Sequence, residues 1–351
     1  MGNNKGVNTA LFNHKSTWDT TKTSVGSSNS DQIKLPLEAS GTYNFIIYWG
    51  DDSSDTITAW DQAEVTHTYA SSGIYNIEIV GQLEGFRFND TGDRLKLSSI
   101  ENGGNEFKLG NNNGYFRGCG NLTSVVNLDT SEVTDMSYMF FYCSKFNQSL
   151  PSFDTSKVTT MRSMFSGCST FNQPLANFDT PKLESTRYMF YSCSNFNQDI
   201  SNFDTSNVIT MEGMFYECSA FNQPLNFDTS EVTNMSYMFY DCSTFNQSLS
   251  SFNTSKVTMM YAMLYSCSVF NQDISNFDVE GVTNLQNMLA GATSWSQANY
   301  DLFLISVAGQ TVISGLTFNC SSNYTLGGAA EAARTSLVND DSWTISDLGG
   351  V

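Results

Sequence analysis

Apolar side chains recur at fixed positions in the middle of the chain. Counted from Val133, they stand three, six, seven and ten residues further on, and the whole set returns 25 residues later. The first copy consists of Val133, Met136, Met139, Phe140 and Cys143. This spacing places the apolar side chains on one face of a helix. The pattern therefore predicts a short helix that turns one face toward a core.

Two further markers give the length of the repeat. The first marker is Asp129 and its equivalents, which are Asp in five units and Asn in the sixth. In these six consecutive units the marker stands 14 residues before the next cysteine. Seven cysteines follow one another at intervals of 24 or 25 residues: Cys119, Cys143, Cys168, Cys193, Cys218, Cys242 and Cys267. Such a fixed period indicates a stacked repeat architecture.

The other half of each unit, Phe171–Leu175 in one copy, has the pattern of a short strand. Neither piece could bury its apolar face alone, so stacking of neighbouring coils must supply the core. For residues 89–292 we therefore predict a solenoid with a short strand plus a short helix per coil and a degenerate first coil. The changed pattern of residues 293–351 predicts a C-terminal cap over the last coil.

The repeat also resembles a known family. Residues 133–148 read Val-Thr-x-Met-x-x-Met-Phe-x-x-Cys-Ser-x-Phe-Asn-Gln, which is similar to the BspA-like leucine-rich-repeat surface proteins, and the likeness extends over residues 115–290. The resemblance implies a leucine-rich-repeat-like solenoid. Its members include surface proteins of mouth and gut bacteria and of mycoplasmas, and phage-encoded proteins. Thr186 departs from the pattern, because a Met is expected there.

The N-terminal third has a different period. The segments 43–49 and 73–80 alternate apolar and polar residues and predict strands. Trp49-Gly-Asp-Asp-Ser and the stretch from Val65 to Ile77 resemble the polycystic-kidney-disease (PKD) type of immunoglobulin-like domain. The resemblance implies a small all-β sandwich over residues 35–88. Residues 1–34 are polar and aperiodic, and we interpret them as an arm or linker held by the repeat body or another subunit.

Charge and hydropathy narrow the functional classes. The 351 residues include 16 Lys and Arg against 35 Asp and Glu, a net charge of −19. This balance repels nucleic acid and anionic lipid. The sequence contains neither the apolar segment of an ordinary signal peptide nor an apolar stretch of about 18 residues. We therefore expect neither a nucleic-acid partner nor membrane insertion.

Two columns of equivalent residues are predicted to be structural. The cysteines are expected to pack as small core residues, because neighbouring coils stand farther apart than a disulfide allows. An asparagine column is expected to bond backbone groups of adjacent turns. It consists of Asn147, Asn172, Asn197, Asn222, Asn246 and Asn271.

Aspartates suggest one candidate metal chemistry. The column that starts at Asp129 could form local Asx-turns with the following residues, or it could bind a row of calcium ions. Asp51, Asp52 and Asp55 leave the same two alternatives open. No zinc-ligand spacing, nucleophile elbow or phosphate loop is present. We therefore expect no catalytic residues and no cofactor, with calcium as the one alternative.

Aromatic residues form two further columns three residues apart. At helical spacing they would lie side by side on one face. We call this set the aromatic stripe: Tyr138, Phe141, Tyr188, Tyr191, Tyr216, Tyr237, Tyr240 and Tyr265. Such a stripe could bind sugars or protein at low entropic cost. The alternative is that these rings only pack between coils.

These observations favour a noncatalytic protein of a virion surface, such as a fibre, spike or capsid-surface component. In this hypothesis the stripe binds a host-surface glycan or protein, or other virion proteins, and the chain belongs to a homo-oligomer or larger assembly. A bacterial cell-surface adhesin of the BspA-like type is the alternative.

Overall fold

The computed structural model describes residues 14–103, 107–110 and 112–351. A seven-stranded sheet fills the N-terminal region in the order β4-β3-β6-β1-β7-β9, with β8 paired to β6. The strands are β1 (His14–Asp19), β3 (Leu37–Tyr48), β4 (Ser54–Ile57), β6 (Ile74–Phe86), β7 (Leu97–Asn102), β8 (Phe107–Lys108) and β9 (Ser124–Val126). A second, two-stranded sheet pairs β2 (Gln32–Lys34) with β5 (Thr66–Thr68), just after a short 3-10 helix at Ala63–Val65.

The interpretation of residues 1–34 as an arm is wrong for its described part. β1 lies inside the large sheet, antiparallel to both β6 and β7, and Trp18 on it has no exposed surface. The segment 24–34, which ends in β2, is fixed by Lys96, whose ammonium group donates to the carbonyls of Ser28, Asn29 and Gln32 at 2.8–3.0 Å. Residues 1–13 lie outside the described part.

The repeat units consist of consecutive turns, and no helix occurs in residues 112–296. The predicted short helix is therefore wrong. The amide of Met139 donates to the carbonyl three residues back, at Met136 (3.2 Å), whereas the amide of Tyr138 donates to Arg162 in the next coil (2.9 Å). Tyr138 has a φ of 59°, in the left-handed region, which interrupts a helix. Its equivalents share this conformation: Ser163, Tyr188, Gly213, Tyr237, Ala262 and Asn287.

Parallel bridges join each unit to the next. They fall on the turn-rich half of the repeat, whereas the predicted strand at Phe171–Leu175 is irregular. One bridge column runs through Asp135, Thr160, Ser185, Thr210, Asn234, Met259 and Asn284. The core between the two halves is aromatic, and the rings of Phe140, Phe165 and Phe190 stack at centroid distances of 5.7 Å. Thr186, the polar departure in this core, is buried and donates to the carbonyl of Thr210 (3.4 Å).

The column of parallel bridges between the repeat units continues into the regions before and after the repeat. At its start, β7 pairs with β9, and the amide of Gly114 donates to Ser137 (2.8 Å). At its end, Leu289 bridges to Cys320. β10 (Thr317–Asn319) then pairs in parallel with β11 (Thr344–Ser346), while α1 (Gln297–Ala308) and α2 (Ala329–Asn339) occupy the loop half of these last coils.

Helix α1 covers the end of the repeat core with Tyr300, Phe303, Leu304 and Val307, all of which are buried. Asp347 links α1 to α2, because its carboxylate accepts from the Tyr300 hydroxyl (2.7 Å) and from Nε of Arg334 on α2 (2.7 Å). Within the described residues, neither helix has the length and apolar character needed to span a bilayer.

Candidate binding site

The seven predicted cysteines form a buried column, and all eight cysteines of the chain are free thiols. From Cys143 onward each thiol of this column donates to a phenylalanine carbonyl in the preceding coil. Cys168, for example, donates to Phe140 at 2.9 Å. Burial raises the pKa of these thiols far above the usual value. The cysteines therefore act as hydrogen-bond donors to the backbone as well as core residues.

The asparagine column also bonds from coil to coil. The side-chain oxygen of Asn147 accepts the amide of Asn172 (2.9 Å), and the same bond recurs up to Asn271, which accepts from Ser296 (2.9 Å). The neighbouring glutamine adds a second donor in most coils, as Gln198 does to Asn172 (2.9 Å). These side chains satisfy backbone groups that the bend would otherwise leave unpaired.

The aspartate column makes local hydrogen bonds. Asp154 accepts from the amide (3.0 Å) and the hydroxyl (2.6 Å) of Ser156, and these two bonds lower the pKa of its carboxyl group. Asp204 has the same arrangement with Ser206. Among the described residues, no group of three or more His, Cys, Asp or Glu side chains is placed to hold a metal ion.

The turn with Asp51 and Asp55 is also internally bonded. Asp51 accepts from the amide of Ser53 (3.1 Å) and lies 2.8 Å from Nε2 of His67, whose ring stacks on Trp49. Asp55 accepts the indole N–H of Trp49 (2.8 Å). Asp52 takes a left-handed φ of 69°. These contacts stabilise the turn at Asp51 and join Asp55, on β4, to the buried Trp49.

The first column of the aromatic stripe begins at Phe141 and is a continuous stack from Tyr191 to Tyr265. The rings of Tyr191, Tyr216, Tyr240 and Tyr265 follow one another at centroid distances of 4.7, 4.3 and 4.7 Å, and all four are partly exposed. Burial, together with the neighbouring Tyr240, raises the pKa of Tyr216. Because each ring covers the face of the next, the column presents edges and hydroxyl groups to the solvent.

The second column alternates tyrosine with small residues. Tyr138, Tyr188 and Tyr237 are separated by Ser163 and Gly213. A Cβ atom at Gly213 would lie 2.1 Å from a ring carbon of Tyr188, so the tyrosine ring occupies the space above the glycine. Tyr188 therefore covers its own coil and the next one.

One charged cluster fixes the ring of Tyr188. Its hydroxyl donates to Glu212 (2.7 Å), which also pairs with Arg187 (3.0 Å) and accepts from Asn234 (3.1 Å). The guanidinium of Arg187 lies 5.4 Å from the centre of the same ring. Burial, followed by the bond to Glu212, raises the pKa of Tyr188 to about 12. This part of the stripe is pre-organised.

The N-terminal end of the stripe carries a cation that sequence reasoning missed. The guanidinium of Arg117 lies 5.1 Å from the ring centre of Tyr138 and 4.9 Å from that of Phe141. Tyr142 and Tyr261 were also missed, and Tyr261 packs edge-on against Tyr237 at 5.0 Å. Alignment of the repeats would have found Arg117, because it stands 24 residues before Phe141.

Comparison with known proteins places the repeat in a family. Residues 111–226 and 223–308 match the family model described as "Mycoplasma protein of unknown function, DUF285", and together these segments cover more than half of the chain. The chain belongs to this family. The match is consistent with the resemblance to BspA-like surface repeat proteins. No curated protein and no solved structure matches the chain.

Proposed function

We propose that this chain is a noncatalytic attachment protein of a virion surface, a fibre, spike or capsid-surface component. In this proposal the stacked coils form a leucine-rich-repeat-like solenoid that presents the aromatic stripe, and the N-terminal sheets form a PKD-like mount. The observation that carries it is the partly exposed tyrosine stack from Tyr191 to Tyr265.

The geometry of the stack favours a protein partner for the stripe. Sugars bind aromatic residues through the ring face, and in the stack these faces lie against neighbouring rings. The exposed edges and hydroxyl groups suit a protein surface, where tyrosine gives both apolar contact and hydrogen bonding. Because the rings are already fixed by stacking, binding would cost little side-chain entropy.

A bacterial cell-surface adhesin is the second candidate. The observation that favours it is the family description, which names mycoplasma proteins and thus a cellular source. Both candidates use the same face, and they differ in where the protein resides. Immunogold labelling separates them, since label on purified phage particles supports the virion and label on the bacterial envelope supports the adhesin.

Substitutions on the stripe test the binding role. We expect the double variant Tyr216→Ala/Tyr240→Ala of the full chain to lose adsorption to target cells while it remains folded. A matched control is Ile209→Ala/Val269→Ala, which removes two exposed apolar side chains of the repeat outside the stripe. Equal adsorption by both double variants would contradict the proposal. If particles fail to assemble with the tyrosine variant, the stripe is an architectural contact instead.

A further inference from the structure

The N-terminal region contains a cleft that is separate from the aromatic stripe. Three segments enclose it: the connection 34–37 between β2 and β3, the turn 60–63, and the segment 87–93 that leads into the first coil. Its volume is about 590 Å³, within the range of sites that bind small molecules. All of its lining residues fall within residues 26–93, so the cleft belongs to the N-terminal region.

One tryptophan lines this cleft, and its exposure differs from that of the other tryptophans of the chain. Trp60 lines the cleft and is 45% exposed, whereas none of the other four tryptophans is more than 3% exposed. A large aromatic ring left in water forgoes the stabilisation that burial would give. An exposed indole beside a cleft therefore indicates a contact surface for a ligand.

Hydrogen bonds from the Gln62 side chain stabilise the turn that carries Trp60. The side-chain oxygen of Gln62 accepts the amides of Thr58 (2.8 Å) and Ala59 (3.0 Å), and its nitrogen donates to the carbonyl of Thr56 (2.8 Å). Gln62 thus closes the turn on both sides of the indole. The backbone that carries the indole is fixed, which reduces the entropy lost when a ligand binds.

The rest of the lining is mixed in character. Lys34 and Asp61 are exposed at the cleft, and neither forms an ion pair within the described residues. Pro36 and Leu37 supply partly exposed apolar surface, and Gly92 leaves open space, since no atom lies within 4 Å of the position of a Cβ. A fully apolar ligand would leave the charged groups without partners on desolvation.

We propose that the Trp60 cleft is a saccharide-binding site. The apolar face of a sugar ring would stack on the indole, while its hydroxyl groups bond to Asp61 and Lys34. A proline-rich peptide is the other ligand that prefers aromatic surfaces, but its grooves are lined by several aromatic rings, and this cleft has one. The saccharide site is independent of the proposed role of the aromatic stripe.

Tryptophan emission gives a selective readout, because Trp60 is the exposed indole. We expect titration of the full chain with cellotriose, maltotriose or an N-acetyllactosamine tetrasaccharide to shift or quench its emission for at least one of these probes. Calorimetry with that probe should show at least tenfold weaker binding for Trp60→Ala. Gln62→Ala should weaken binding less, because the indole remains and only the hydrogen bonds that fix its turn are lost.

Tyr48→Ala is the matched control, since Tyr48 is equally exposed (46%) and lies outside the cleft lining. It should bind the probe as the wild type does. The proposal is overturned if none of the saccharides binds, or if Trp60→Ala binds as tightly as Tyr48→Ala. A response to an oligoproline peptide alone would also overturn it, because the cleft would then be a peptide site.

Discussion

The ammonium nitrogen of Lys96 lies 3.3 Å from Oδ1 of Asp93, and neither side chain has any exposed surface. The carboxylate also accepts the amides of Ser28 and Lys34, both at 2.7 Å. A buried pair of this kind is costly to break, because removal of one partner leaves an uncompensated buried charge. The pair fixes a polar segment with little apolar surface of its own.

We predict that Lys96→Ala lowers the free energy of unfolding by about 3–5 kcal/mol. Lys157→Ala, which breaks the exposed pair with Glu132 (2.9 Å), should cost at most about 1 kcal/mol. Urea denaturation measures both values. Limited proteolysis of the Lys96 variant should also show new cleavage between residues 24 and 34. If the two lysine variants unfold at the same urea concentration, the buried pair does not have the structural role assigned to it.

A second prediction concerns the pH dependence of stability. His14 is buried against Phe107 at 4.2 Å, both its ring nitrogens lack a hydrogen-bond partner in the described structure, and burial lowers its pKa from 6.5 to about 3. Since the unfolded chain takes up the proton first, stability should fall as the pH decreases from about 6.5 to about 3. The slope from this residue is about 1.4 kcal/mol per pH unit.

His14→Phe should remove this contribution and fill the same stacking position. We expect the variant to be at least as stable as the wild type at pH 7 and to lose less stability at pH 4.5, as measured by denaturation at a series of pH values. The difference between the two curves of stability against pH gives the contribution of His14, because the acidic groups contribute equally to both. Parallel curves would show that His14 titrates normally in the folded protein.

The alternating tyrosine column gives a third prediction. Gly213→Ala should destabilise the chain by more than the roughly 1–2 kcal/mol that a left-handed φ costs other residues, because the new Cβ would also collide with the Tyr188 ring. In a Tyr188→Ala background the collision disappears. Thermal or urea unfolding of the four proteins of this cycle should therefore give a Gly213 effect that is smaller without the tyrosine. Strictly additive effects would show that the ring does not occupy that space.

The asparagine column gives a fourth prediction. Asn222→Ala leaves the amide of Asn246 without its acceptor (2.9 Å) and also removes a bond to Gln247. A buried group left unpaired costs about 1–3 kcal/mol, and since this bond is only partly buried we expect a loss of about 1 kcal/mol. Asn207, whose exposed side chain donates to Pro181, is the control, and its change to alanine should cost about 0.5 kcal/mol or less. Comparable losses would mean that the Asn222 bond contributes nothing specific.

The ladder cysteines give a fifth prediction. Because burial suppresses the thiolate form, the thiols should react with a disulfide reagent such as Ellman's reagent far more slowly in the native chain than in urea. The time course of labelling would then report unfolding. Rapid labelling of even one thiol equivalent in the native protein would contradict the burial of the column.

The sequence predicted the repeat because its signal is local and periodic. The core positions from Val133 to Cys143 are all buried, and each follows from spacing alone. It did not predict that turns replace the short helix. The offsets suit either structure, and the deciding feature is the left-handed φ of residues such as Tyr138, which no apolar pattern encodes.

The long-range contacts were beyond sequence reasoning. β1 pairs with residues 55 to 88 positions away, and Lys96 reaches a segment more than 60 residues earlier. A polar segment with such partners looks like a linker when it is read alone. The stripe was predicted as a set of residues, and its arginine follows from alignment of the repeats. The stacking of its rings depends on side-chain geometry that the spacing does not give.

The alternation of Tyr138, Ser163, Tyr188, Gly213 and Tyr237 has a consequence for how such a chain can change in length. Although the backbone repeats every coil, this one column of side chains repeats every second coil. Insertion or loss of a single coil within this run would place two large rings, or two small residues, in adjacent positions. Lineages that lengthen or shorten this part of the protein should therefore do so in steps of about 50 residues, so that the duplicated genetic unit is twice the structural one.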